Sequence, residues 1–199
     1  MNIAILSGSH RPDSQSARVA RYLQQQLSPM ASAWIYELAN NPLPLWDQGV
    51  WSGSEPWPTL WGPVAEKLRA SDALIVVAPE WAGMVPPGVK NFLLLCGNAE
   101  LGHKPGLIVG ISSGISGTWP VAELRLSGTK NNHLCWVPDH LILRGVGALL
   151  QGPTPEGEID AQVRARIDYS LGLLVEYAKA LAAVRASGKV DHKTYAFGQ

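Results

Sequence analysis

Short, nearly unbroken aliphatic runs alternate with amphipathic stretches along the whole chain. Ile3 to Leu6, Ala73 to Ala78 and Gly106 to Ile111 carry almost no polar side chain, the mark of strands covered on both faces. Ala33 to Leu38, aromatic and β-branched, reads as another short strand, and His133 to Val137 as a fifth. Leu141 to Val146 reads as a further extended piece beyond a turn at Pro138 and Asp139. Between these runs the apolar positions change to a helical period. Ala17, Ala20, Leu23 and Leu27 share one face of a helix capped by Ser14 or Ser16 and stopped at Ser28 and Pro29. Leu60, Trp61, Val64 and Leu68 stripe the next, which ends near Ser71. Pro86 and Pro87 open a helix, where a missing N–H costs nothing, that runs to about Cys96 or Gly97. A helix from about Trp119 carries Val121, Leu124 and Leu126, and a long one from near Asp160 places Val163, Ile167, Leu171, Leu174, Ala178 and Leu181 on one side. Residues 40 to 58 keep neither period and are rich in Pro, Gly, Ser and Trp, so they read as one long loop. The alternation predicts an α/β fold: a doubly wound sheet of five parallel strands with helices on both faces, one domain over residues 1–199 with a loose tail after about 187.

Charge and composition narrow the partners. The chain has 199 residues with 16 basic and 16 acidic side chains, a balance that offers nothing to nucleic acid or to an anionic membrane surface. No stretch stays apolar over a bilayer's thickness and no basic leader precedes the first strand, which points to a soluble, cytoplasmic protein. Cys96 and Cys135, far apart and flanked by apolar residues, suit buried thiols better than a disulfide or metal site. His10, His103, His133 and His140 show no ligand spacing, and no metal site is expected. Four of the eight tryptophans, Trp46, Trp51, Trp57 and Trp61, crowd the long loop and its exit. They suit a cover for a ligand, an interface with a second subunit, or a cluster packed within one subunit.

The chemistry gathers where the first strand breaks into Ser7, Gly8, Ser9, His10 and Arg11 and then opens a helix. The first N–H groups of a helix have no intrahelical partner and carry partial positive charge, so a phosphate suits them. Arg11 adds a full charge, and Ser9, Ser14 and Ser16 add hydroxyl donors. The loop lacks the Gly-Lys-Ser/Thr ending of a P-loop and the Gly-x-Gly-x-x-Gly of a dinucleotide fold, which favours a monophosphate. A capped turn with an exposed arginine is the plain alternative. Two further loops, Pro79 to Met84 and Ser112 to Thr118, leave strands at the same edge, where doubly wound sheets bind ligands.

Gly8-Ser-His-Arg-Pro-Asp-Ser-Gln-Ser16 resembles the Gly-Ser-x-Arg-x-x-Ser-x-Asn/Ser phosphate loop of the NADPH-dependent FMN reductase family, whose fold is flavodoxin-like. Pro79-Glu-Trp-Ala-Gly-Met-Val-Pro-Pro-Gly-Val-Lys-Asn91 is similar to that family's Pro-Glu-Tyr-Asn-x-x-x-Pro-Gly-x-Leu-Lys-Asn segment, and Ser112 to Gly117 stands in the place of its third flavin loop. The likeness spans roughly residues 1 to 130. Three departures stand out: Trp81 for the usual Tyr, Ala82 for Asn, and an extra Pro at 86 or 87. The resemblance implies FMN as cofactor, NADPH or NADH as co-substrate and a small-molecule electron acceptor, in a homodimer or homotetramer. It places the FMN phosphate on Ser9, Arg11, Ser14, Gln15 and Ser16, and the ring between Pro79, Glu80, Trp81, Ala82, Gly83 and Ser112, Ser113, Gly114, Gly117. No side chain is assigned a catalytic role, since the flavin carries the chemistry and backbone N–H groups suffice for charge on the ring. Glu80 reads either as a turn or cap carboxylate or as a group at the flavin; Lys90 and Asn91 suit packing and capping.

Two rival readings come from other classes. Gly110-Ile-Ser-Ser-Gly114 matches a Gly-x-Ser-x-Gly nucleophile elbow, and His192 after Asp139, Asp160 or Asp168 keeps a hydrolase order with Ser112 as nucleophile. A flavin-binding electron carrier that does not turn over NAD(P)H is the other.

Overall fold

The computed structural model describes residues 1–197; of the tail expected after about 187, residues 198–199 lie outside the described residues. The elements run β1 (Asn2–Ser7), α1 (Gln15–Leu27), β2 (Ser32–Glu37), the single turns α2 (Gly49–Ser52) and α3 (Trp57–Leu60), α4 (Gly62–Arg69), β3 (Ala73–Pro79), α5 (Pro87–Leu95), a further turn α6 (Asn98–Leu101), β4 (Pro105–Ile111), α7 (Thr118–Leu126), β5 (Cys135–Leu143) and α8 (Glu158–Ala186). All five strands are parallel, in the order β2-β1-β3-β4-β5, which is that of flavodoxin-like sheets.

The aliphatic runs are strands because both of their faces are covered. Ile3, Ile5, Ile75, Val77, Leu107 and Val109 turn to one side, against Val19, Leu23 and Leu27 of α1 and Ile167, Leu171 and Leu174 of α8. The alternate residues Ala4, Leu6, Leu74, Val76, Ala78 and Ile108 face the other side, against Val64 and Leu68 of α4, Val89 and Phe92 of α5 and Leu124 of α7. A strand with an apolar residue at every position therefore serves two cores, one per face.

Three local readings change. The turn expected at Pro138 and Asp139 is a bulge within one continuous strand: Gly106 pairs with Trp136 and Ile108 with His140, so β5 carries extra residues there. Proline is tolerated because β5 is an edge strand. Leu60 and Leu126, assigned to buried stripes, are 41% and 89% exposed, each at the last position of its helix. The long loop contains two helical turns, and Trp57 and Trp61 join the core of their own subunit, Trp61 edge-on to Phe92 with ring centroids 5.5 Å apart. Trp51, 76% exposed, stays at the surface with Trp46 against it at 4.9 Å.

Asn91 of α5 holds that loop: its Oδ1 accepts from Trp46 N–H at 2.8 Å and its Nδ2 donates to the Pro44 carbonyl at 2.8 Å. Lys104, buried before β4, donates to the Leu68 and Arg69 carbonyls at 2.7 and 2.9 Å and so closes the C-terminus of α4. Among the described residues no helix is long and apolar enough to cross a membrane.

Candidate functional site

The order β2-β1-β3 reverses direction at β1, so loops leaving β1 and β3 diverge around a crevice at the C-terminal edge of the sheet. Three stretches border it: residues 8–14, 79–84 and 112–117.

The first stretch ends at α1. Ser14 is extended (φ −75°, ψ 154°) and its Oγ accepts from Ala17 N–H at 3.2 Å, so it is the N-cap. Ser9 is buried and its Oγ accepts from Arg11 N–H at 3.1 Å, which curls the loop and leaves the hydroxyl proton free to donate elsewhere. Gln15 and Ser16 are the first two residues of a 13-residue helix, so their N–H groups lack intrahelical acceptors. Ser16 is 1% exposed and its Oγ has no hydrogen-bond partner among the described residues. A buried hydroxyl without a partner costs about 1–3 kcal/mol, so its place in the first turn of α1 fits an anion supplied from outside the chain. Arg11 is exposed on the rim and forms no ion pair among the described residues. A monophosphate fits this donor set: amides, hydroxyls and one guanidinium, with no carboxylate bonded within the loop.

The second stretch is a tight turn in which Trp81 and Met84 exchange N–H···O bonds of 3.0 and 2.9 Å. Ala82 (φ 50°) and Gly83 (φ 74°) between them are both left-handed, and their amides are the two that the turn does not use. The left-handed region suits Gly or Asn better than a residue with an unadorned Cβ, so Ala82 is strained there. The His10 ring meets Trp81 with centroids 6.0 Å apart and lies over the Cα of Gly88, where any side chain would collide with it. The first and second stretches are thereby in contact.

The third stretch is joined to the second by Glu80. Its Oε2 accepts from Ser116 Oγ at 2.9 Å and from Gly117 N–H at 2.7 Å. Gly117 is the N-cap residue of α7, so the carboxylate also faces the positive end of that helix. Of the two roles open to Glu80, loop clamp and cap is the one that its hydrogen bonds fill. Ser112 Oγ accepts from Gly114 N–H at 3.1 Å, while Ser113, Gly114 and Ile115 stand exposed. Lys90 bonds to Ser127 Oγ at 2.5 Å and pairs with Glu123 at 3.2 Å, and with Asn91 it positions neighbouring elements away from this crevice.

A fourth bordering segment was not signalled by any motif. Residues 145 and 146 donate to the Gly114 and Ser112 carbonyls at 2.8 and 3.0 Å, and Arg18 of α1 donates to the carbonyls of Val146, Leu149 and Leu150 at 2.6 to 2.9 Å. Ser116 was likewise overlooked, because only its partner Glu80 gives it a role.

The nucleophile elbow lacks its base. Ser112 follows the C-terminal end of β4, whereas His192 stacks on His103, which precedes the N-terminal end of that 7-residue strand, roughly 20 Å away at strand rise. The thiols are not poised for nucleophilic work either: burial pushes Cys96 well up and Cys135 up as well.

Known proteins share both the sequence and the shape. A family model for NADPH-dependent FMN reductases matches residues 1–147. A quinone reductase of Pseudomonas putida is 29% identical over 120 residues, 58% of this chain and 62% of its own length. The matched segment thus spans less than two thirds of that relative. A 2-hydroxy-1,4-benzoquinone reductase of a Burkholderia species is 31% identical over 133 residues, 64% of this chain and 69% of its own. Among solved structures, the flavoenzyme NAD(P)H:(acceptor) oxidoreductase FerB of Paracoccus denitrificans superposes with a TM-score of 0.71 at 19% identity, covering 90% of this chain and 97% of that one, a likeness of fold. With the family pattern matched over nearly three quarters of its length, the chain belongs to the NADPH-dependent FMN reductase family, a family of FMN-using, NAD(P)H-linked oxidoreductases.

Proposed function

We propose that this chain is an FMN-dependent NAD(P)H oxidoreductase that delivers electrons to a quinone, a free flavin or another small acceptor, working in the cytoplasm as a homodimer or homotetramer. The observation that carries the reading is the buried Ser16 hydroxyl at the start of α1, which has no partner among the described residues, in the loop that the family motif marks for phosphate. Bound FMN supplies a centre that accepts a hydride from a nicotinamide and returns electrons to an acceptor. The chain's own part is to hold that cofactor and keep its face open. In this reading Ser9, Ser14, Gln15 and Ser16 present hydroxyl, amide and side-chain donors to the phosphate, and Arg11 supplies a cation from the rim. Pro79, Trp81, Ala82 and Gly83 form one wall for the ring and Ser112, Ser113, Gly114 and Gly117 the other. Glu80 keeps the two walls together through Ser116 and Gly117. Backbone amides of the wall loops provide donors toward charge on the ring without a cationic side chain.

Exposed apolar residues support the oligomer. Ile115 and Leu126 are 92% and 89% exposed, and Leu94 and Trp119 are exposed as well, all on or beside α5 and α7. The two free cysteines accord with a reducing compartment. The test is to load the protein with FMN, exclude oxygen and add NADPH or NADH. Bleaching of the flavin absorbance, reversed by benzoquinone, is the expected result. A yellow protein bleached only by a chemical reductant would make it a carrier, and a protein that takes up no FMN would remove the proposal.

A further inference from the structure

At the edge of the sheet opposite the flavin loops, three histidines distant in sequence converge. His103 immediately precedes β4 by way of Lys104, His133 precedes β5 by way of Leu134, and His192 comes from the segment that follows α8. Their ring centroids lie 5.5, 5.4 and 4.9 Å apart, with His103 and His192 nearly parallel at 15°. One ring nitrogen from each lies within 4.8 Å of the other two. The rings line a cleft of about 340 Å³ with Ser187, Asp191 and Tyr195, and all three are half-buried, screened from bulk water yet reachable.

Packing alone gives little reason for this arrangement. His103 and His133 both adopt the left-handed backbone region, φ 53° and 56°, where a non-glycine residue is disfavoured. The two positions are tied to each other, since His103 N–H donates to the His133 carbonyl at 2.9 Å, and both side chains line one cleft. Burial comes first in lowering the His103 pKa, followed by the neighbouring His192 and His133 and by Arg185. The His133 Nε2 lies 3.3 Å from the Ala196 carbonyl, an acceptor of the kind that orients a ligating imidazole through its other nitrogen. Asp191 lines the same cleft and contributes negative charge, although its Oδ1 already accepts from the Lys193 and Thr194 amides.

We propose that His103, His133 and His192 form a three-imidazole site for a borderline divalent ion, Zn²⁺ foremost, which fastens the segment after α8 to the N-terminal edge of the sheet. Four-coordinate zinc takes imidazole nitrogens at about 2.0–2.1 Å, and three such ligands with a water complete the shell. Nitrogens on that shell stand about 3.4 Å apart, so the ligands close by an ångström or so when the ion enters. The movable member is His192, whose segment is held to the rest by contacts such as Asn98 Nδ2 to the Ala196 carbonyl at 3.4 Å. Imidazole in place of carboxylate selects against Mg²⁺ and Ca²⁺.

The experiment uses the full-length, untagged protein stripped with a chelator and titrated with Zn²⁺ in competition with a chromophoric chelator. Expected is one equivalent bound with Kd about 1 µM or tighter, unaffected by Mg²⁺, with the visible absorption of four-coordinate cobalt when Co²⁺ is substituted. His192→Ala lies outside the sheet and leaves the fold intact; it should weaken Zn²⁺ by at least roughly tenfold, and His103→Asn and His133→Asn, which tolerate the left-handed backbone, should do the same. His140→Ala, outside the cluster, should bind as the parent does. Zn²⁺ should also slow tryptic cleavage at Lys189 and Lys193 in the parent and not in His192→Ala. Absence of binding at about 10 µM Zn²⁺, or unchanged affinity in His192→Ala, would overturn the proposal.

Discussion

Glu80 joins the two loops that the proposed function sets around the flavin ring, and removing it has a calculable effect. Its Oε2 accepts from Ser116 Oγ and Gly117 N–H at 2.9 and 2.7 Å, and Gly117 is buried, so Glu80→Ala removes the acceptor of a buried amide. Hydrogen bonds to a charged group contribute about 1.5–3 kcal/mol each, and a carboxylate at a helix N-terminus adds about 0.3–1 kcal/mol. Glu80 is itself partly exposed, which puts each contribution at the low end, so Glu80→Ala should cost about 3 kcal/mol. Glu80→Gln keeps one oxygen that can accept from both donors but loses the charge, and should cost about 1 kcal/mol. For a chain of this size those losses correspond to Tm decreases of roughly 6–12 °C and 2–4 °C. Thermal unfolding of the flavin-free variants by circular dichroism, with urea unfolding followed by tryptophan fluorescence, reads both. Flavin affinity should fall in the same order, because the two ring loops lose their connection. A Glu80→Ala protein that melts within about 1 °C of the parent would refute the clamp.

Asn91→Ala should cost about 2 kcal/mol, because it removes both bonds to the Trp46 amide and the Pro44 carbonyl, and it should make residues 40–58 the first site of limited proteolysis. Ala82→Asn should raise stability by about 0.5 kcal/mol by relieving the φ of 50°, as read from urea midpoints; a loss would contradict the left-handed turn. Burial pushes the Lys104 pKa down to about 8, helped by repulsion from Arg185, against an ordinary value of 10.5. Since the unfolded chain then holds more protons between about pH 8 and 10.5, this residue makes stability rise with pH across that window. The rise should be about 1–2 kcal/mol once solvent and two carbonyl acceptors are allowed for, and should vanish from the pH profile in Lys104→Met.

Much of the fold was legible because the buried strands of a doubly wound sheet announce themselves. Ile3 to Leu6, Ala73 to Ala78 and Gly106 to Ile111 each feed two cores and leave no polar position to confuse the period. The fifth strand was read as two pieces because Pro138 suggests a turn, and only the edge position of β5 and its bulge reconcile proline with a strand. The crevice was legible where loop chemistry is local, as with Ser14 capping α1 and Ser16 in its first turn. Glu80 could be narrowed only to two roles, since its donors lie 36 and 37 residues downstream. The same distance problem hid Arg18 and residues 144–150, and above all the three histidines. Positions 103, 133 and 192 share no spacing, and they meet only because β4 and β5 start side by side and the chain returns to them after α8.

The central claim is that the loop from Gly8 to Ser16 grips a phosphate. Calorimetric titration of the flavin-free protein with FMN and with riboflavin, which differ only in that group, tests it most directly. Two or more charge-assisted bonds predict FMN tighter by at least roughly a hundredfold, with most of that preference lost in an Arg11→Ala, Ser16→Ala double variant. Equal affinity for the two flavins would contradict it.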